Sequence, residues 1–74
     1  MIIYPNPVLE NRILTILSPI NGDIQVEIFS VTGRKIMDKL ISDNKLDVSS
    51  LNSGFYLMKA TIDNQTKIFK LIVK

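Results

Sequence analysis

The groups best suited to acid–base or metal chemistry in this sequence are its seven carboxylates, Glu10, Asp23, Glu27, Asp38, Asp43, Asp47 and Asp63. Histidine and cysteine are absent, which removes the imidazole base, the thiol nucleophile and the usual zinc ligands. Most of the carboxylates stand singly in turn-like stretches, where aspartate accepts hydrogen bonds from its own backbone. Two clusters, Asp43 to Asp47 (DNKLD) and Asn21 to Asp23, gather oxygen atoms, yet neither has the ordered spacing of a calcium loop. Gly22, Gly33 and Gly54 are scattered, so no phosphate-cradling loop is written here. The expectation is a chain that performs no catalysis and holds no metal or cofactor. Its function would then reside in a surface.

Composition sets the frame for that surface. The 74 residues are 46% hydrophobic, enough to pack one small core, so a single domain over 1–74 is expected. The mean hydropathy of +0.22 lies far from the disordered class. A net charge of +2 is only mildly basic, and neither a nucleic acid nor a small-molecule substrate is expected as partner. No apolar run approaches the roughly 20 residues that span a bilayer. Met1-Ile2-Ile3 is too short for a signal-peptide core and is cut off by Pro5 and Pro7. An export signal, if the chain needs one, is expected upstream in a longer parent.

The elements that must build the surface all read as strands. Arg12 to Leu17 (RILTIL) and Asp23 to Phe29 (DIQVEIF) are rich in Ile, Val, Thr and Phe, and SPING between them ends in the hairpin signal Asn21-Gly22. In the second run Ile24, Val26 and Ile28 share one face and Gln25 and Glu27 the other. The following SVTGR fits a type I turn closed by a left-handed Gly33, a three-residue hairpin loop with a bulge. Arg34 to Ile41 is the return strand. Simple pairing across that loop sets Ile28 against Ile36, Ile24 against Leu40 and Val26 against Asp38. A charge at an apolar position predicts either a sheet-edge strand, with Asp38 reaching water, or a bulge near Met37.

The closing strands are Phe55 to Ile62 and Lys67 to Val73, and a turn at Asn64-Gln65 predicts their register. Tyr56 then faces Val73, Met58 faces Leu71 and Ala60 faces Phe69, while the other face sets Lys59 against Lys70 and Leu57 against Ile72. LDVSSLNSG (Leu46 to Gly54) has room for one helical or 3₁₀ turn capped by Ser49. About six or seven short strands with turn signals between them predict an all-β fold, a small immunoglobulin-like antiparallel β-sandwich without the inter-sheet disulfide. The opening YPNP, with proline at Pro5 and Pro7, restrains Tyr4 and Asn6 to extended geometry. It reads as a stiff lead-in at a sheet edge, serving edge protection or recognition.

Four stretches in order carry a resemblance: YPNPV, IFSVTGRKI, DVSSLNSGFYLMKA and the closing TKIFKLIVK. Together they resemble the type A C-terminal sorting domain of type IX (Por) secretion substrates of Gram-negative Bacteroidota, over Tyr4 to Lys74. The resemblance implies a small immunoglobulin-like sandwich that acts as an address label on a covalently linked upstream cargo. An outer-membrane translocon would recognise it, and a sortase-like peptidase commonly removes such domains and attaches the cargo to a surface lipopolysaccharide. The destination implied is the outer-membrane surface or the extracellular space, reached through the periplasm. The family's motif positions fall on Tyr4, Pro5, Asn6 and Pro7, on Gly33, Arg34 and Lys35, on Leu51, Gly54 and Tyr56, and on Lys70. Met1 directly precedes the first motif, leaving out the linker where members are usually cleaved, so the chain reads as a domain excised from a larger secreted protein.

Each motif residue also has a purely structural reading. Gly33 and Gly54 suit tight turns. Tyr56 suits a buried ring whose hydroxyl bonds the backbone upstream, as in a tyrosine corner, with Leu51 packed beneath it. Arg34 and Lys35 open a solvated strand. Lys70 resists such a reading, because like charges across a ladder repel and Lys70→Ala would leave stability unchanged or raise it. The outward face of the last hairpin, Leu57, Lys59, Ile68, Lys70 and Ile72, is therefore the expected docking face, together with the edge of Lys67 to Val73. The alternative function is an adhesion, carbohydrate-binding or spacer module of a surface protein. An adhesive sandwich normally shows exposed aromatics, and the chain has no Trp.

Overall fold

The computed structural model describes residues 1–9 and 12–74, so Glu10 lies outside the described residues. Seven strands form: β1 (Ile2–Tyr4), β2 (Ile13–Leu17), β3 (Ile24–Ser30), β4 (Lys35–Ile41), β5 (Lys45–Asp47), β6 (Gly54–Ile62) and β7 (Gln65–Val73). They make a three-stranded sheet in the order β1-β2-β5 and a four-stranded sheet in the order β4-β3-β6-β7. All strand pairs are antiparallel. Each sheet has one apolar face, and the two faces cover one another to give the expected small β-sandwich. The division of strands follows the immunoglobulin pattern, with the hairpin β3–β4 extending the sheet that holds the last two strands.

Alternation along the strands supplies the core. Ile24, Val26 and Ile28 of β3 are buried, as are Met58, Ala60 and Ile62 of β6, Leu71 and Val73 of β7, and Leu14 and Ile16 of β2. Val8, Leu46, Val48 and Leu51 complete it from the short strand and the loops. No polar or charged side chain is buried among the described residues. Nothing polar therefore has to be matched inside, and packing alone holds the layers together.

Three turns differ from their sequence-based expectations, each for a physical reason. Asn21-Gly22 makes no hairpin, because β2 and β3 belong to different sheets. Here the Ser18 hydroxyl accepts a bond from the Ile20 amide (3.1 Å), and Ile20 packs against the core as the chain crosses the sandwich. The last hairpin turns at Asp63-Asn64 rather than Asn64-Gln65, since both turn residues adopt positive φ (50° and 66°), which Asp and Asn tolerate better than Gln. Met58 consequently faces Phe69, Tyr56 faces Leu71 and Ala60 faces Lys67. The shift is two residues, so Met58 and Leu71 keep the same inward face. LDVSSLNSG begins inside β5, since Lys45–Asp47 pairs with β2, and departs from expectation in its cap rather than in its single turn. A single turn follows, closed by the Leu51 amide on the Val48 carbonyl at 3.0 Å. Its cap is Asp47, whose carboxylate accepts from the Ser49 amide at 2.8 Å.

The Asp38 question is resolved by both proposed devices at once. β4 is the edge strand of its sheet, and a bulge shifts the register between Ile28 and Phe29. Ile28 then meets Met37 and Ile24 meets Ile41, so those two residues turn inward while Ile36 and Leu40 turn outward. Asp38 sits opposite Glu27 on the solvated face. Lys35 reconciles this pair of like charges, bonding Glu27 at 2.9 Å and Asp38 at 3.2 Å. The Gln25 amide also donates to Asp38. These two carboxylates, Glu27 first, raise the Lys35 ammonium above its ordinary pKa.

Asp47 gives a pH-dependent prediction. The Ser49 hydroxyl and then the Ser49 amide stabilise its ionised form and hold its pKa below the ordinary 3.8. A depressed carboxylate contributes stability above the unfolded value, and that contribution is withdrawn as pH falls through the folded value. NMR titration of the side-chain carbonyl should place the Asp47 midpoint below 3.8, and Ser49→Ala should move it back up. An unmoved midpoint would show that the Ser49 contacts are not the cause.

Candidate recognition surface

The motif positions scattered along the sequence fall into three groups in space. Gly33 closes the β3–β4 loop with φ of 92°, its amide bonded to the Ser30 carbonyl at 2.9 Å. Arg34 follows in the open, and Lys35 carries the ion pairs described above rather than standing free. Gly54 starts β6 at φ of 152°, a region that side chains disfavour. Tyr56 behaves as a tyrosine corner, its hydroxyl donating to the Asn52 carbonyl at 2.5 Å. Leu51 is buried beneath that corner, and its carbonyl accepts from the Arg12 guanidinium at 3.3 Å. Gly33, Leu51, Gly54 and Tyr56 thus each have a conformational task. Tyr56→Phe should lower stability by about 0.5–1.5 kcal/mol, the value of one such bond, measured by denaturant melts. A loss below that range would mean water replaces the Asn52 contact.

The third group joins the two ends of the chain. Both Tyr4-Pro5 and Asn6-Pro7 are cis. Beyond β1 the chain leaves its own sheet and runs along the outer edge of β7. The Asn6 carboxamide acts as a stand-in for a peptide group there: Nδ2 donates to the Lys70 carbonyl at 2.8 Å, and Oδ1 accepts from the Ile72 amide at 3.0 Å. Val8 continues the pairing in parallel with Val73, its amide donating to the Ile72 carbonyl (2.7 Å) and its carbonyl accepting from the Lys74 amide (3.0 Å). Residues 64 apart in sequence are therefore hydrogen-bonded neighbours. Sequence reasoning identified Asn6 and the edge, but Asn6's partner carried no local signal. The back half of the edge expected to dock a partner is already covered.

The outward face of the last hairpin brings the expected docking residues together. Leu57 is 44% exposed and Ile68 57%, with Ile72 half-buried between strands. Phe55 joins them at 56% exposure, on the same face as Leu57 by the alternation of β6. The register also corrects the expected Lys59–Lys70 repulsion. Lys59 lies opposite Ile68, and Lys70 lies opposite Leu57. The Lys70 ammonium sits 5.1 Å from the centre of the Phe55 ring, a cation–π contact that gives it a structural role after all. Lys70→Ala should thus lower stability by about 0.5–1 kcal/mol instead of raising it. Thermal melts of Lys70→Ala with and without Phe55→Leu check this, since the effect should vanish when the ring is gone.

A β-sandwich whose polar groups serve turns and edges, with an apolar patch rimmed by lysines left open, has the makings of a protein-recognition module. The chain belongs to the family of secretion system C-terminal sorting domains, which matches residues 2–74, nearly its full length. A search of curated proteins returns no match. The family is that of type IX secretion sorting signals, which mark proteins for export to the cell surface or the extracellular space.

Proposed function

We propose that the chain serves as the export address of a covalently linked upstream cargo, read by an outer-membrane translocon through the outward face of β6 and β7. The residues that carry recognition are Leu57, Lys59, Ile68, Lys70 and Ile72, with Phe55 added beside them. The observation that supports this reading is the exposed apolar trio Phe55, Leu57 and Ile68 gathered around two lysines on one face of the last hairpin. Tyr4, Pro5, Asn6 and Pro7 border the same face through the Asn6 contacts and belong to its rim. Gly33, Leu51, Gly54 and Tyr56 act by holding the domain in shape. A sortase-like peptidase then removes the domain and attaches the cargo at the surface.

The test is a reporter exported to the periplasm with residues 1–74 fused behind it, in hosts with and without the translocon. Surface or extracellular reporter is expected only when both domain and translocon are present. Release in the translocon-deficient host would overturn the reading. A mass shift of the reporter equal to loss of the domain, dependent on the peptidase, tests the processing step separately.

A further inference from the structure

The edge of β7 is covered for only half its length. Its outward-pointing backbone groups belong to alternate residues, as the bonds from Lys70, Ile72 and Lys74 to Asn6 and Val8 establish. By the same two-residue repeat the amide and carbonyl of Ile68 face outward, and among the described residues they take no partner. Ile68 also projects its side chain from the outer face, 57% exposed. Lys59 lies directly across from it, and Lys70 two positions further along β7. Neither lysine has an acidic partner among the described residues, since Glu27, the nearest acid along the strand row, is held by Lys35.

We infer that this open stretch, centred on Ile68, receives an extended segment of the secretion partner as an added strand, with a carboxylate of that segment meeting Lys70. The inference rests on the proposed sorting role and gives it a mode of contact. An open pair of edge groups supplies register and affinity in strand addition, while flanking side chains supply choice. The adjacent seat of Asn6 and Val8 demonstrates that this edge accepts an extended segment. It also fixes where an added strand must stop. A second copy is the poorer occupant, because two-fold pairing about Ile68 would set Lys70 of each copy against Thr66 of the other and supply neither lysine with an acid.

Proline tests the backbone directly. Ile68→Pro deletes an outward N–H without touching the ladder to β6, the one setting in which a strand tolerates proline. Ile68→Thr shortens the side chain and keeps the N–H. Both are placed behind the exported reporter, with cooperative thermal unfolding as proof of fold. Ile68→Pro should lower secretion about tenfold or more, and Ile68→Thr no more than about threefold. Thr66→Pro removes the neighbouring outward N–H and takes over if Ile68→Pro fails to fold. Lys70→Glu should lower secretion further than Lys70→Ala. Wild-type secretion by a folded proline variant overturns the inference. So does an equal fall for Ile68→Thr and Ile68→Pro, which leaves docking through side chains standing. Equal loss with Lys70→Glu and Lys70→Ala removes the carboxylate, and dimers of the isolated domain in sedimentation would make a second copy the occupant.

Discussion

Leu14→Ala is expected to bring the domain to the margin of folding. Leu14 is fully buried at the centre of the three-stranded sheet, paired with Leu46 of β5, which is also buried. Truncating such a side chain costs about 2–5 kcal/mol, the transfer of its methyl groups plus the cavity left behind. A domain of this length has a total stability of about 4–11 kcal/mol, so one truncation removes a large share. The smaller sheet has little in reserve, because two of its three strands are only three residues long. Denaturant melts should show an earlier midpoint with the slope unchanged. A loss under about 1 kcal/mol would mean that the two sheets close over the vacancy, and the core would be softer than its burial implies.

Lys70→Ala combined with Ile72→Ser should cut secretion of a fused reporter by about tenfold or more, the loss of roughly one interface hot spot. The pair removes the cation and part of the apolar surface from the outward face. It leaves the backbone bonds of Lys70 and Ile72 to Asn6 and Val8 in place. Some stability is given up, since Lys70 covers Phe55 and Ile72 is half-buried. Thermal unfolding therefore has to accompany the secretion assay, ideally with Tyr56→Phe as a control of comparable stability. Undiminished secretion by the folded double variant would remove this face from recognition.

What the sequence disclosed depended on how local the cause was. The period-two run of β3, the Gly33 loop and the Tyr56 corner are each set by residues a few positions apart, and all three stand as read. Asp38 announced a conflict between pattern and charge, and the structure answers it with an edge and a bulge. The final turn lies one residue earlier than expected because Asp63 was not weighed as a turn residue; the pairing thereby shifts by two, which preserves the inward face. It did change the partners of Lys70, and with them the reading of that residue. β5 escaped notice because three residues cannot display a period. Asn21-Gly22 carried a genuine turn signal, yet which sheet a strand joins is decided by long-range packing. The tie from Asn6 to Lys70 and Ile72 is of that kind too, as nothing near Asn6 names its partner.

That tie has a consequence for how the molecule comes into being. Within the domain, Asn6 and Val8 leave the ribosome well before their partners in β7. Leu71 and Val73 also fill core positions between the sheets. A nascent chain that has reached Ile62 holds most of its strands but lacks the one that closes both its edge and its interior. Contacts this far apart in sequence make folding slow and late, because a long loop must be closed before they reward it. The domain therefore acquires its native shape only once synthesis has passed Val73, and a prematurely terminated copy displays no finished recognition surface.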